Sequence, residues 1–204
     1  MADAPPPFDA RLARWLVRPL AATRVTPNHL TTLRLLLGLA AAAGVAAGTP
    51  RAALAGAWLF ALSNLADHTD GELARLTGQS TPWGHRYDLA CDVGVHALFF
   101  AALGWGLRAG PLGAWAPLLG LAAGGSVATI FALRMGIEGR LGKAGARLPA
   151  LAGFEIEDCL YLVPLVAHAG GLPLLLGGAA AGAPLFALWL VRAYRTAPAA
   201  ADAP

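Results

Sequence analysis

Long apolar runs broken by short connectors set the pattern of this chain. The first run spans about residues 30–47, and five more follow at about 52–74, 86–107, 112–135, 149–170 and 172–193. Each approaches the ~20 residues that an α-helix needs to cross a bilayer. The connectors 48–51 and 108–111 carry glycine with proline and read as tight turns. The pattern predicts an all-α polytopic membrane protein with six transmembrane helices, and the edges of the glycine- and alanine-rich last span are the least defined. Ahead of the first span, Phe8, Leu12, Trp15, Leu16 and Leu20 can share one helix face, with Arg11, Arg14 and Arg18 elsewhere. That arrangement suits an amphipathic helix lying in the membrane interface with arginines near anionic head groups. A surface helix packed on the body would show the same pattern. Thr26 before Pro27 reads as an N-cap with proline at the first helical position.

These elements divide the chain into an N-terminal segment with the interfacial helix (1–24), a six-helix transmembrane domain (25–195) and an Ala/Pro-rich tail expected to be disordered (196–204). Composition agrees. Hydrophobic residues make up 57% of the 204 and charged residues 13%, against about 25% charged in a typical soluble domain. A net charge of +3 without an aromatic–basic patch gives no reason to expect a nucleic-acid partner. Cys91 and Cys159 both lie in apolar stretches and read as small packing residues, without the C-x-x-C spacing of a metal site. Residues 1–7 are acidic and proline-rich, so no signal peptide is expected. With six spans and the N-terminus inside, one side holds Arg11, Arg14, Arg18, Arg24, Arg75, Arg86, Arg134, Arg140, Lys143, Arg147, Arg192 and Arg195, and the other only Arg51 and Arg108. This asymmetry places both termini, and the ends of spans two and three that meet between them, on the cytoplasmic side.

The acids concentrate there. Asp67 and Asp70 are i,i+3 and Asp88 and Asp92 are i,i+4, so each pair shares one helix face. Four carboxylates at the ends of membrane helices are costly unless something neutralises them. Divalent cations such as Mg²⁺ or Mn²⁺ suit an all-oxygen site and are commonly shared with a substrate phosphate. Four carboxylates exceed what one ion usually recruits, so two ions are expected. Gly71 and Ala74 stand one turn apart. They would let either a flat base or a neighbouring helix approach closely. Arg75 is placed to contact a nucleotide or diphosphate, or to snorkel. Gly84 permits the turn into span three.

Written out, the stretch is D-x2-D-G-x2-A-R-x8-G-x3-D-x3-D, with every fixed position filled by Asp67, Asp70, Gly71, Ala74, Arg75, Gly84, Asp88 and Asp92. It resembles the signature of the CDP-alcohol phosphotransferases, integral membrane enzymes of phospholipid head-group synthesis. Eight fixed positions over 26 residues seldom coincide by chance. A second match, T-P-N-x-L-T-x-x-R over residues 26–34, resembles the start of the first membrane helix in the same family. The resemblance implies transfer of a phosphatidyl group from CDP-diacylglycerol to the hydroxyl of a polar alcohol, with release of CMP. The alternative within the family is transfer of a CDP-linked polar head group to a lipid or soluble alcohol. It further implies Asp67, Asp70 and Asp88 as metal ligands, and Asp92 as general base that also touches a metal. Pro27, Asn28, Thr31, Gly71, Ala74, Arg75 and Gly84 would form the nucleotide pocket, and the assembly would be a homodimer.

The acceptor is less defined. Glu155 and Asp158 are i,i+3 near the cytoplasmic end of span five and suit hydroxyls or a cationic head. Arg134 and Arg140 suit a phosphorylated acceptor, although topology alone also requires basic residues there. A different class, a divalent-cation transporter, would place acids across the membrane midplane, whereas here they cluster at one face.

Overall fold

The computed structural model describes residues 8–145 and 156–196. Seven α-helices carry it: α1 (Phe8–Val17), α2 (Pro27–Ala46), α3 (Pro50–Thr77), α4 (Pro82–Gly106), α5 (Trp115–Gly145), α6 (Val163–His168) and α7 (Leu172–Thr196). No strand occurs among the described residues.

A repeated Thr-Pro step starts the helices that build the site. Thr26, Thr49 and Thr81 are extended N-caps, each followed by proline at the first helical position. There proline's missing N–H costs nothing and its fixed φ suits the helix. The Thr49 and Thr81 side chains accept from the backbone N–H of Ala52 and Gly84. At Thr26 the backbone N–H instead donates to His29 Nδ1 at 3.2 Å. Helix α3 stops at Gly78, whose φ of 67° is a left-handed cap that a side chain would strain.

Four helical segments are long and apolar enough to cross a membrane: Pro27–Ala46, Pro82–Ala109, Trp115–Arg140 and Leu172–Arg195. Helix α3, at 28 residues, is the longest of the first four helices. Asn64, Asp67 and Asp70 lower its hydropathy below that of a simple span. The expected fifth span, 149–170, takes another form where it is described. Residues 156–162 form a 3-10 turn, followed by the six-residue α6, and 149–155 lie outside the described residues.

Helices α2 and α3 pack most extensively on each other, α2 also packs on α4, and α3 meets α4 chiefly through large side chains. Small residues allow the close approach. A Cβ at Gly56 would lie 2.7 Å from the Ala41 carbonyl, so only glycine fits between α2 and α3. The main core joins Ala41 and Val45 of α2, Ala57 and Phe60 of α3, and Val95, Phe99 and Leu103 of α4, with Val163, Leu172 and Leu176 closing it. Phe60 and Phe99 stack with centroids 3.8 Å apart. A smaller cluster of Val17, Leu30 and Leu73 ties α1 to the bundle. The inward face of α1 is therefore Ala13 and Val17, both fully buried. Trp15 and Leu16, on the predicted apolar face, are exposed. Cys91 is buried, but Cys159 is exposed, so the packing reading holds for the first cysteine alone.

Candidate active site

The three helices α2, α3 and α4 bring the motif acids to one place. The mutual face of α3 carries Asp67 and Asp70, and the first turns of α4 carry Asp88 and Asp92. Asp67, Asp70 and Asp88 each bring a carboxylate oxygen within 4.8 Å of the other two. Such a set, acidic and all-oxygen, fits a hard divalent cation. Asp70 is buried and accepts from Thr31 Oγ1 at 2.5 Å, which ties the α2 segment to the acids.

The charge balance inside the cluster rests on Arg34. Its side chain is 0% exposed. Nη1 reaches Asp67 at 2.5 Å and Asp88 at 3.2 Å, and Nη2 pairs with Asp92. Nε is buried and has no hydrogen-bond partner. One guanidinium thus pairs with three aspartates while Asp70 bonds Thr31, and the residual negative charge of the four is what a bound divalent cation would balance. Asp92 has a second partner in His96, whose Nδ1 lies 3.1 Å from Oδ1 and 2.9 Å from the Asp92 backbone oxygen. Arg34 and His96 both meet Asp92 through Oδ1, so neither contact engages Oδ2. The His96 ring is held edge-on against Phe60, 5.4 Å between centroids.

Around this centre the other sequence-predicted residues divide. A Cβ at Gly84 would lie 3.1 Å from Asn28 Oδ1, so the start of α2 and the first turn of α4 are adjacent. Pro27 and Thr31 lie on the same first turns of α2, and the Thr31 hydroxyl also lies 3.3 Å from the Pro27 carbonyl. Thr32, one position on, meets the Tyr87 hydroxyl of α4 at 3.0 Å. The nearest side-chain atoms to where a Gly71 Cβ would stand belong to the Arg75 guanidinium, 3.6 Å away. Ala74 follows one turn on. Arg75 is exposed and pairs with Glu72 at 2.8 Å.

The residues expected at the acceptor side are spread more widely. Arg134 is half-buried on α5. Arg140 donates to the Tyr194 carbonyl at 3.0 Å and stacks over its ring at 3.9 Å, which fixes it between α5 and α7. Glu155 and Arg147 lie outside the described residues. Asp158 falls in the 156–162 turn, of which only the backbone is described at that position.

The family model for the CDP-alcohol phosphatidyltransferases matches residues 24–191. The chain belongs to that family, membrane-integral transferases of phospholipid synthesis. Two solved structures of the phosphatidylinositol phosphate synthase of Mycobacterium tuberculosis share the fold at 22% identity. One is in complex with manganese and citrate (TM-score 0.67, covering 97% of this chain and 93% of that one). The other has CDP-DAG bound (TM-score 0.68, covering 97% and 98%). Among curated proteins, the bifunctional IPC transferase and DIPP synthase of Thermococcus kodakarensis is 32% identical over 105 residues, 52% of this chain. The chain spans only 23% of that relative's length.

Sequence reasoning included Arg34 in the 26–34 match without giving it a role in the site, and it missed His96. For Arg34 a signal was available, because an arginine inside an apolar span demands an acidic partner and the four aspartates are the concentrated supply. His96 follows Asp92 by one helical turn, a spacing visible but ambiguous without the fold.

Proposed function

We propose that this chain transfers the phosphatidyl group of CDP-diacylglycerol to a hydroxyl of a polar alcohol and releases CMP. The observation that carries the reading is the convergence of Asp67, Asp70 and Asp88 beside Asp92, with Asp92 held from two sides by Arg34 and His96. Asp67, Asp70 and Asp88 would hold Mg²⁺ or Mn²⁺, which would supply positive charge to the phosphate oxygens. Pro27, Asn28, Thr31, Gly71, Ala74, Arg75 and Gly84 receive the cytidine and diphosphate. The missing side chain at Gly71 suits the close approach of a flat base.

Asp92 is the general base in this reading. Its carboxylate takes the proton from the acceptor hydroxyl as that oxygen bonds the phosphorus on the lipid side of the diphosphate. The bond from that phosphorus to the bridging oxygen breaks, and the electron pair leaves on CMP. Arg34 and His96 fix the rotamer of Asp92 by occupying one oxygen, so the other faces the hydroxyl. Burial of Arg34 keeps this geometry stiff.

The membrane arrangement belongs to the same proposal. Six crossings are reached by counting α3 and the 156–168 segment with the four apolar helices, and α1 lies in the interface with Trp15 outward. Exposed tryptophans support two interfaces: Trp15 and Trp83 at the aspartate end, Trp105 and Trp115 at the other. The rise along α4 from Trp83 to Trp105 is about 33 Å, close to the ~30 Å hydrocarbon core, and tryptophan favours both its boundaries. The arginine asymmetry supports a site and both termini at the cytoplasmic face, and the family resemblance implies a homodimer.

The experiment is CMP release by purified protein from CDP-diacylglycerol and Mn²⁺ with glycerol 3-phosphate, inositol 1-phosphate, inositol, serine or choline. Acceptor-dependent release that EDTA abolishes is the expected result. Release only from a donor carrying a CDP-linked polar head group would refute the phosphatidyl assignment, and no release from either donor would refute the transfer reading.

A further inference from the structure

Four carboxylates exceed what one ion usually recruits, and the sequence alone asks for a second ion. The fold supplies a second cation of another kind. The Arg34 guanidinium stands among Asp67, Asp88 and Asp92, with Nη1 2.5 Å from Asp67 Oδ1 and 3.2 Å from Asp88 Oδ1, and Nη2 on Asp92 Oδ1. A guanidinium keeps its charge in proteins and presents its donors in a planar fork.

Its place is the one a second ion would take. In a two-metal centre the ions lie about 3.5–4 Å apart and share carboxylates. An ion at Asp67, Asp70 and Asp88 would share Asp67 and Asp88 with its neighbour, and Asp92 would complete the neighbour's set. Those three are the carboxylates that the guanidinium bonds. Asp70 is the exception, since it takes the Thr31 hydroxyl instead. Each carboxylate has two oxygens, so Asp67 and Asp88 can serve the guanidinium through Oδ1 and an ion through the other. The guanidinium has nowhere to withdraw. The Arg34 side chain is 0% exposed. One turn on, α2 closes on α4, where a Cβ at Gly38 would lie 2.5 Å from Val95 Cγ2. Leaving the acids would strand a buried charge without partners.

We propose that this centre takes one divalent cation, at Asp67, Asp70 and Asp88, and that the Arg34 guanidinium fills the place of a second. The inference rests on the transfer reading above for the ligand assignment, and adds the ion count and the source of the other positive charge. Asp92 is then held by Arg34 and His96 and not by a metal ion.

The test is Mn²⁺ binding to the full-length protein in detergent, counted by equilibrium dialysis and followed by electron paramagnetic resonance. Wild type should bind one Mn²⁺ per protomer with the spectrum of an isolated ion, and CDP-diacylglycerol should bring in no exchange coupling. Arg34→Met, which frees the three carboxylates, should bind two, with exchange coupling between them. Asp70→Ala should weaken the wild-type ion by about tenfold or more. Two ions or exchange coupling in the wild type overturns the proposal and leaves the transfer reading standing. A single ion in Arg34→Met overturns it too, because the guanidinium would not be filling an ion's place. Unchanged affinity in Asp70→Ala overturns the placement of the one ion. Folded wild type that binds no Mn²⁺ overturns the ligand assignment in the transfer reading, and this inference with it. Should Arg34→Met fail to fold, Asp92→Asn carries the comparison: its Mn²⁺ titration should superimpose on that of the wild type, and a weaker one makes Asp92 a ligand and overturns the proposal.

Discussion

Arg34→Met gives the sharpest test of how the carboxylates are held. Methionine matches the length of the arginine stem and removes only the guanidinium. In the native chain that group is fully buried and meets Asp67 at 2.5 Å, Asp88 at 3.2 Å and Asp92. Removing the partner of a buried pair typically costs about 3–5 kcal/mol, because an uncompensated charge is left behind. Here three carboxylates lose it together, while their partial exposure to the cleft softens the penalty, so the same range is the working estimate. For a chain of this length about 2–4 °C of melting temperature follows each kcal/mol, which predicts a fall of roughly 6–20 °C in EDTA. Divalent cations at Asp67, Asp70 and Asp88 would supply the missing positive charge. Saturating Mn²⁺ should therefore raise the melting temperature of the variant more than that of the wild type and close much of the gap. The assay is thermal unfolding in detergent with EDTA or Mn²⁺, followed by tryptophan fluorescence. A variant that melts with the wild type in EDTA would show that Arg34 does not balance the acids. A deficit of the same size with and without Mn²⁺ would refute the idea that cation and guanidinium share one electrostatic role.

Other substitutions separate the remaining roles. Asp92→Asn should lower turnover by about 10²-fold or more while CDP-diacylglycerol binding, measured by titration, stays near wild type; retained turnover would remove Asp92 as base. Asp67→Ala should shift the Mn²⁺ dependence and weaken nucleotide binding together, and superimposable Mn²⁺ titrations would contradict its assignment as a ligand. Phe60→Ala removes a fully buried ring stacked on Phe99 and should cost about 3–5 kcal/mol, read as a lower melting temperature; a loss under ~1 kcal/mol would mean that the stack carries little of the core.

Much of this protein was legible before any coordinates. Apolar runs of bilayer length announce helices, because a backbone in hydrocarbon must satisfy its own hydrogen bonds. Thr26 and Pro27 mark the start of α2 through local stereochemistry alone. The spacing of Asp67, Asp70, Asp88 and Asp92 places two acids on a face of each helix by the 3.6-residue period. Those features depend on residues close together in the chain.

What crosses between helices was decided only by the fold. Nothing in the local sequence says that Arg34 lies among Asp67, Asp88 and Asp92, or that Thr31 meets Asp70, since these contacts join residues 33 to 58 positions apart. Which face of α1 meets the bundle was decided there too: Ala13 and Val17 turn inward against the bundle and leave Trp15 and Leu16 of the more hydrophobic stripe exposed. That Arg140 lies against the Tyr194 ring and carbonyl of α7 was likewise set by the fold. The sequence by itself determined the helices, their membrane-compatible lengths and which acids share a face, because each follows from local periodicity and solvation. The tertiary structure alone decided which cation neutralises which acid and which oxygen of Asp92 is engaged, because those depend on how α2, α3 and α4 approach one another.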